Sequence, residues 1–329
     1  MTKILVTGVN GQFGGYFSDK AIENGSTVFG LIRRSSVDTL YRIKHLVDNN
    51  RFTLVEGDIT DSYNVSKVVE ENQFDFIVNG AAQSHVMSSF DSPLFTTQVN
   101  YLGVINILEA VRQHSKHTKV VQCSTSEMFG SNINKDGFQN ESTPFSPNSS
   151  YGCSKLASHH LLRIYRDAFG IKACGAIMFN YESPKRGLHF ITRKITNFIG
   201  RIVASDFQLK EKLQLGNLES KRDWSHCKDS VNAVWLLLHS DKVKDYVIGS
   251  GITHSIIELL ETAFGYIKLD YKDWIEINPS FIRPLEVEEL RADSSLIRQE
   301  LGWCPTISFE DLIREMVDYD IKLALKALD

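Results

Sequence analysis

The residue types that could do chemistry lie in two short stretches of the chain. The apolar run KVVQ leads directly into CSTSEMFG, so Thr125, Ser126 and Glu127 follow a predicted buried strand. Burying a carboxylate there costs free energy unless it is paired with a cation or hydrogen-bond donors, or takes part in a reaction. The stretch SSYGCSK puts Tyr151 and Lys155 four residues apart, on one face of a predicted helix. Because an ammonium beside a phenol lowers the pKa of the phenol, Tyr151 is predicted to exchange a proton with a substrate hydroxyl near neutral pH.

A glycine triplet near the start of the chain predicts a binding site for a dinucleotide. The stretch TGVNGQFGG places Gly8, Gly11 and Gly14 between a first strand and the start of a helix. Glycine there allows a tight turn and lets backbone N–H groups approach a pyrophosphate. A tight strand-to-helix turn alone is the other interpretation, but the position after the first strand of a βαβ unit favours the dinucleotide.

The residues after the second and third strands indicate which dinucleotide is bound. The second strand ends in LIRRSS, where Arg33, Arg34 and Ser35 offer donors suited to a 2′-phosphate. This predicts NADP, the alternative being a solvated basic turn. The third strand ends in GDITD, which puts Asp58 either near the adenine amino group or at the cap of the next helix.

The elements that position these residues follow from a repeated pattern. Short apolar runs alternate with helical stretches, namely KILVTG, STVFGLIR, FTLVEGD, FDFIVNGAA, KVVQCSTS and IKACGAIMFN. Continuous apolar strands of this kind are typical of a parallel sheet buried on both faces, which predicts a doubly wound α/β domain of the Rossmann type. Ligands bind such sheets at the carboxyl ends of the strands. We assign residues 1–180 to this domain, with a later return of the chain near 226–250, and residues 181–329 to a smaller α/β lobe.

Composition excludes several classes of protein. The chain has 329 residues and a formal charge of −4 without a basic tail, so nucleic acid is not an expected partner. No run approaches the ~18 apolar residues of a membrane span, and no signal-peptide pattern follows Met1, so we expect a cytoplasmic protein. Five cysteines without CxxC spacing predict free thiols in a reducing compartment, and the ten histidines fit no metal template.

The motifs occur in an order that resembles a known superfamily. GxxGxxG, then a strand ending in Ser/Thr, then YxxxK is the pattern of extended short-chain dehydrogenases/reductases. Six further stretches together closely resemble the GDP-mannose 4,6-dehydratase family: NGAAQSHVMSSF, STSEMFG, FNYESPKRG, FITRKIT, LGNLESKRDWSH and RPLEVEEL. The resemblance covers essentially the whole chain.

This resemblance implies a reaction and assigns roles to the residues above. A hydride passes from C4 of the sugar to NADP⁺ while Tyr151, paired with Lys155, removes the hydroxyl proton. The 4-keto group acidifies C5, Glu127 abstracts that proton, water leaves from C6, and the hydride returns to C6. Thr125 is expected to bind the oxygen on C4, and Ser126 to position the sugar. The alternative for Glu127 is a carboxylate that caps a helix or turn.

The resemblance also implies the residues of two binding sites. The expected cofactor site consists of Gly8, Asn10, Gly11, Gln12, Phe13, Gly14, Arg33, Arg34, Ser35, Asp58, Ile59, Ala81, Ala82, Gln83, Ser84, Lys155, Tyr181 and Arg186. The expected site for the GDP-sugar consists of Ser84, Ser126, Asn180, Lys194, Arg222, Arg283 and Glu286. Solvated charge is the alternative for part of the basic cluster beyond Asn180, which also includes Lys185, Arg193, Lys221 and Arg291.

Three departures from the family pattern bear on the substrate. Tyr181 stands where the family has a histidine, Phe13 stands where it has an acid, and Arg291 is added near the expected nucleotide pocket. A related GDP-sugar such as a GDP-heptose is therefore an alternative substrate. A nucleotide-sugar 4-epimerase or reductase, and a non-catalytic NADP-binding regulator, are the alternative functions.

Two helices predict assembly into a homo-oligomer. LASHHLLRIYRDAFG and FTTQVNYLGVINILEAVRQ carry apolar residues around more of their circumference than packing on one sheet requires. Such helices suit a two-fold, four-helix interface, which is the usual dimer of extended short-chain dehydrogenases. In the family the RRSS loop also meets a second dimer, which would make a tetramer.

Overall fold

The six apolar runs become six neighbouring strands of one sheet, and a seventh strand joins them. The structure is a computed structural model that describes residues 1–281, 285 and 287–328. Its strands are β1 Lys3–Thr7, β2 Thr27–Ile32, β3 Phe52–Glu56, β4 Phe76–Asn79, β5 Lys119–Thr125, β6 Lys172–Met178, β7 Asn180–Glu182, β8 Leu213–Leu215, β9 Lys221–Arg222, β10 Trp224–His226, β11 Tyr246–Ile248, β12 His254–Ser255, β13 Ile275–Ile277 and β14 Glu289–Leu290. Its helices are α1 Gln12–Glu23, α2 Ser62–Asn72, α3 Val86–Asp91, α4 Pro93–Thr97, α5 Gly103–His114, α6 Ser150–Phe169, α7 Ile191–Ala204, α8 Cys227–His239, α9 Ile256–Tyr266, α10 Ser295–Leu301 and α11 Phe309–Lys326.

The central sheet has the order β11-β6-β5-β4-β1-β2-β3, and all its neighbouring strands run parallel. Successive strands are added on one side of β1 up to β3 and then on the other side from β4 onward. A crevice opens at the carboxyl ends of the strands where this order reverses, between β1 and β4. The doubly wound α/β fold that the sequence predicts is therefore confirmed.

Helices cover both faces of the sheet, which is why most residues of its strands are apolar. Phe17 of α1 and Val234 of α8 belong to one buried cluster with strand residues such as Ile4. On the other face, α2, α5 and α6 contribute to a second cluster that includes Ile107 and Leu162. Burying apolar surface on both faces supplies the main driving force for this layered arrangement.

The later part of the chain builds a further core around three helices. Helices α7, α9 and α11 pack together through residues such as Phe198, Leu259 and Leu312. Helix α7 approaches α11 so closely that a Cβ at Gly200 would lie 2.6 Å from the carbonyl oxygen of Asp320. Strand β11 returns to the central sheet beside β6.

One predicted helix is interrupted in the structure. The stretch FTTQVNYLGVINILEAVRQ contains α4, a π-helical turn at Gln98–Leu102 and then α5. Single π-turns inside helices often occur at functional sites, and this one carries a buried asparagine described below. Across the described part of the chain, no helix has the length and apolar character needed to cross a membrane.

Candidate active site

One large cleft opens at the carboxyl ends of the central strands. Its volume is about 1540 Å³, and segments of both parts of the chain line it. All the predicted site residues that the structure describes lie on its walls: Gly8, Asn10, Gly11, Gln12, Phe13, Gly14, Arg33, Arg34, Ser35, Asp58, Ile59, Ala81, Ala82, Gln83, Ser84, Thr125, Ser126, Glu127, Tyr151, Lys155, Asn180, Tyr181, Arg186, Lys194 and Arg222. The predicted substrate residues Arg283 and Glu286 lie outside the described residues.

The glycine loop packs closely against its neighbours at the edge of the cleft. Gly8 has a φ of +64°, and a Cβ there would lie 2.8 Å from the backbone nitrogen of Ala81. A Cβ at Gly14 would lie 2.5 Å from the carbonyl oxygen of Gly8. Because α1 begins immediately after this loop, its unpaired N–H groups point toward the cleft. The loop has the shape and the donors that a pyrophosphate needs.

The glycine loop is also tied to the segment that follows β6. The amide nitrogen of Gln12 donates to the carbonyl oxygen of Tyr181 at 2.9 Å, and its amide oxygen accepts from Ser183 Oγ at 2.7 Å. The ring of Phe13 packs 5.9 Å from the ring of Tyr181. The two departures from the family pattern in this region therefore contact each other.

The residues after β2 and β3 border the same end of the cleft. Arg33, Arg34 and Ser35 are exposed there. Arg34 lies 3.9 Å from Glu56, an exposed pair that contributes little to stability. Asp58 accepts hydrogen bonds from the backbone and hydroxyl of Thr60. The alternative in which Asp58 caps the next helix is wrong, because Asp61 is the residue that caps α2.

Arg42 is a cleft residue that the sequence reasoning missed. Its Nε donates to the carbonyl oxygen of Lys185 at 2.6 Å, and its Nη1 donates to that of Asn10 at 3.4 Å. It therefore joins the loop after β2 to the glycine loop and to the segment after β7. Burial lowers the pKa of its guanidinium, which nevertheless stays charged. No local sequence pattern indicates this role, because both acceptors are backbone atoms of residues distant along the chain.

The hydroxyls of Thr125 and Ser126 and the carboxylate of Glu127 lie at the end of β5. Thr125 is the last residue of the strand, and its Oγ1 accepts from the backbone nitrogen of Glu127 at 3.3 Å. Glu127 lies in the short 3₁₀ turn that follows, with only 9% of its surface exposed. Thr125 is the residue that caps this turn.

The start of α6 is held against that turn. Ser149 caps the helix by accepting from the backbone nitrogen of Gly152 at 3.0 Å. A Cβ on Gly152 would lie 2.8 Å from the carbonyl oxygen of Glu127, so a side chain there would push the helix away. This close approach brings Tyr151, the residue before Gly152, to the same wall of the cleft as Thr125 and Glu127.

The protonation of the Tyr151–Lys155 pair differs from the prediction. Burial raises the pKa of Tyr151 to about 12, although its hydrogen bond with Thr125 opposes the rise. Lys155 directs its ammonium to the carbonyl oxygen of Cys123, and burial lowers its pKa to about 8. The predicted lowering of the phenol's pKa by the lysine is therefore wrong for this structure, because desolvation of the phenol is the larger effect.

The π-helical turn supplies a second residue that sequence reasoning missed. The side chain of Asn100 is buried and accepts from the backbone nitrogen of Gln83 at 2.9 Å. Its amide group donates to the carbonyl oxygen of Gln83 at 3.0 Å and to Ser154 Oγ at 3.2 Å. Asn100 thus joins the cleft segment after β4 to the helix that carries Tyr151. A polar amide among the apolar residues of this helical stretch was the available signal, but Asn106 in the same stretch has the same pattern.

Basic residues from the later part of the chain line the opposite wall. The ammonium of Lys194 lies 4.5 Å from the ring centre of Phe281, and Arg222 is buried, donating to the carbonyl oxygen of Lys221 at 2.8 Å. Arg186 packs 3.5 Å over the ring of Phe190 and forms an ion pair with the buried Glu182. Asn180 lies at the start of β7 on the same wall.

Three described members of the predicted basic cluster, Arg193, Lys221 and Arg291, do not line the cleft. Arg193 is buried in α7, where it forms a two-point ion pair with Asp320 of α11 at 2.9 and 2.7 Å. Arg291 stacks 4.1 Å from the ring centre of Phe138 and donates to the carbonyl oxygen of Gly251 at 3.0 Å. The prediction that Arg291 lies near the nucleotide pocket is wrong, since it is not part of the cleft wall. Among the described residues, no cluster of His, Cys, Asp and Glu could hold a metal ion.

Comparison with known proteins gives the family. The family profile described as GDP-mannose 4,6 dehydratase matches residues 5–316. GDP-mannose 4,6 dehydratase 1 of Arabidopsis thaliana is 42% identical over 330 residues, which cover 97% of this chain and 90% of that protein. The GDP-mannose 4,6 dehydratase of Homo sapiens is 37% identical over 344 residues, which cover 97% of this chain and 91% of the human protein.

Solved structures agree with this fold. The dTDP-glucose 4,6-dehydratase of Bacillus anthracis superposes with a TM-score of 0.85 at 24% identity, covering 98% of this chain and 97% of its own. The UDP-glucose 4-epimerase of Thermotoga maritima also has a TM-score of 0.85 at 24% identity, covering 98% of this chain and 99% of its own. Because identities of this size establish the fold alone, the family follows from the sequence relatives and the matched profile. The chain belongs to the GDP-mannose 4,6 dehydratase family.

Proposed function

We propose that this protein is an NADP-dependent GDP-mannose 4,6-dehydratase, a hydro-lyase that converts GDP-D-mannose into GDP-4-keto-6-deoxy-D-mannose. The observation that carries the proposal is Glu127, a nearly buried carboxylate at the end of β5, on the same cleft wall as Thr125 and Tyr151. An oxidation alone needs the hydroxyl, the phenol and the lysine. A carboxylate at the same place supplies the base that an elimination also requires.

The residues present fit a nicotinamide dinucleotide. Gly8 and Gly14 let the loop pack tightly against Ala81 and Val9, so that α1 begins at the cleft, where its first N–H groups would meet a pyrophosphate. At the end of β2, Arg33 and Ser35 would hold a 2′-phosphate, which favours NADP over NAD. The Bacillus anthracis dehydratase with the same fold was solved in complex with NAD. When bound, the cofactor supplies the hydride acceptor at C4 and the hydride donor at C6.

The residues at the end of β5 would carry the proton transfers. Tyr151 is the proposed acceptor of the C4 hydroxyl proton, and Thr125 would hold the oxygen on C4. Burial raises the pKa of Tyr151 in the cofactor-free protein, and its hydrogen bond with Thr125 opposes that rise. Once C4 is a carbonyl, the hydrogen on C5 is acidic and Glu127 removes it as a proton. The C6 hydroxyl takes up a proton and leaves as water, and C5 takes up a proton when the hydride returns to C6. Lys155 fixes α6 on β5 through the carbonyl of Cys123 and brings a cation to the site.

The opposite wall would bind the nucleotide half of the substrate. Lys194 and Arg222 provide positive charge for a diphosphate, and Asn180 provides a neutral hydrogen-bonding group between them and the sugar. Arg283 and Glu286 are also proposed to contact the nucleotide, because their stretch RPLEVEEL resembles the family motif. The net charge of −4 is compatible with an anionic substrate because the basic residues are concentrated at this wall.

The assay that tests the proposal uses the purified protein, GDP-mannose and no added cofactor. We expect a 4-keto product that absorbs in alkali, with no net consumption of NADPH, because the hydride is returned. Net consumption of NADPH, or a product that retains the C6 hydroxyl, would instead identify a reductase or an epimerase. Turnover of a GDP-heptose but not of GDP-mannose would show that the assigned substrate is wrong, and it would still agree with the proposed mechanism.

A further inference from the structure

A cluster of buried and partly buried polar side chains lies beside β5. Only one of its residues, Ser124, also lines the cleft. The Nδ1 atom of His159 lies 3.0 Å from Ser124 Oγ, and its Nε2 atom lies 3.7 Å from a carboxylate oxygen of Asp245. Both oxygens of Asp245 accept from the guanidinium of Arg166, at 2.8 Å each. We call Ser124, His159, Asp245 and Arg166 the His159 network. It connects α6, β5 and the residue that precedes β11.

The fold makes room for this histidine at a specific position. A Cβ at Gly175 of β6 would lie 2.7 Å from two ring atoms of His159 and 3.0 Å from Asp245. The backbone nitrogen of Gly175 also donates to Asp245 at 2.6 Å. Any side chain at residue 175 would therefore collide with the imidazole. The network is a packed arrangement and not a chance contact between surface groups.

The imidazole is held in its neutral form. Its side chain is nearly buried, and burial lowers its pKa to about 4, with the positive charges of Arg166 and Lys155 and the neighbouring His160 acting in the same direction and Asp245 opposing. Because the Asp245 carboxylate faces Nε2, the proton belongs on that nitrogen. Nδ1 is then the acceptor of a hydrogen bond from the Ser124 hydroxyl.

The network touches the elements that carry the proposed catalytic groups. Ser124 directly precedes Thr125 on β5 and forms part of the cleft wall. His159 lies one helical turn after Lys155 and two turns after Tyr151, on the same face of α6. The hydrogen bond between Ser124 and His159 is thus a direct link between the strand end that carries Thr125 and the helix that carries Tyr151.

We propose that His159 is a positioning residue, which holds the Ser124 hydroxyl and so fixes the end of β5 relative to α6, setting the placement of Thr125 and Tyr151. The inference rests on the proposed function. Misplacing reacting groups by a fraction of an ångström mainly slows the chemical step, because ground-state binding uses other contacts. Removal of the hydrogen bond should therefore lower kcat while KM for GDP-mannose and the affinity for NADP are kept.

The test is a cycle of His159→Leu, Ser124→Ala and the double variant, with steady-state kinetics on GDP-mannose. We expect each single variant to lose about tenfold in kcat with KM within twofold, and the double variant to lose no more than the worse single one. His159→Asn should recover most of kcat, since its amide oxygen can accept where Nδ1 does. His117→Leu, at an exposed position before β5, is the matched control and should behave as the wild type.

Two results would overturn the proposal: a kcat of wild-type size in Ser124→Ala, which removes one oxygen atom only, or losses that multiply in the double variant. Thermal unfolding midpoints of the same variants supply a readout that is independent of turnover. Coupling between Ser124→Ala and His159→Leu in the midpoints is expected, and strictly additive shifts would contradict the link. If the wild type does not convert GDP-mannose, the proposed function is wrong. The unfolding midpoints of the variants still test the hydrogen bond between Ser124 and His159.

Discussion

At the scale of single residues, Glu127 distinguishes elimination from simple oxidation. Glu127→Gln keeps the size of the side chain and removes the base, so oxidation at C4 should proceed and elimination should stop. We expect single-turnover experiments to show NADPH or a 4-keto-hexose building up, with cofactor affinity unchanged. Glu71→Gln, on the exposed face of α2, is the control. Undiminished dehydratase activity in Glu127→Gln would remove Glu127 from the mechanism.

Arg33 tests the choice of cofactor. Arg33→Ala removes a guanidinium that can pair with a 2′-phosphate, which NADP has and NAD lacks. Losing one charge-assisted phosphate contact typically costs ~1.5–3 kcal/mol, about ten- to a hundredfold in affinity. Titration of cofactor fluorescence should show that loss for NADPH and little change for NADH, with Arg201→Ala of α7 as the control. An equal loss for both cofactors would mean that Arg33 has a structural role.

Lys155 predicts a pH dependence of stability. Its pKa falls from 10.5 to about 8 on burial, so between these values the unfolded chain binds more protons and stability rises with pH. At pH 7 the buried charge costs roughly 1–3 kcal/mol, which Lys155→Met would recover in the cofactor-free protein while abolishing turnover. Urea unfolding should show the variant more stable at pH 7 and the advantage shrinking toward pH 10. A variant less stable than the wild type at pH 7 would contradict this account.

At the scale of elements, the glycine loop depends on how closely α1 approaches β1. Gly14→Ala would bring a methyl group within 2.6 Å of Val9 Cα, so the start of α1 must shift away from the loop. We expect NADPH affinity to fall more than tenfold. Gly265→Ala in α9 is a matched control, because a Cβ there meets nothing within 4 Å and alanine favours a helix. Unchanged affinity in Gly14→Ala would show that the loop tolerates the shift.

At the scale of the whole molecule, spare apolar surface supports the proposed assembly. Ile164 and Phe169 of α6 are 42% and 45% exposed, and Leu102, just before α5, is 45% exposed. We propose that these helices form a two-fold dimer interface and that the RRSS loop adds a second interface in a tetramer. Light scattering should give at least twice the chain mass, and Ile164→Glu should reduce it, unlike Ile252→Glu on a distant loop. A monomer at micromolar concentration would refute both interfaces, and a stable dimer would refute only the tetramer.

The sequence by itself determined the parallel sheet, the glycine loop and the placement of Tyr151 and Lys155 on one helix face. Each depends on local periodicity or on spacing within one element, and the fold class and family that these patterns predicted are confirmed. The division of the chain at residue 180 and the roles of the individual site residues stay predictions.

Only the tertiary structure decided which charged groups meet and how deeply they are buried. Arg193 pairs with Asp320, a residue 127 positions away, and Arg291 stacks on Phe138 instead of facing the cleft. The pKa of Tyr151 rises because the surrounding fold removes water from the phenol, an effect that neighbours in the sequence do not reveal. Partners so distant along the chain are brought together by the order of the strands and the packing of the helices, and neither is written in any local pattern.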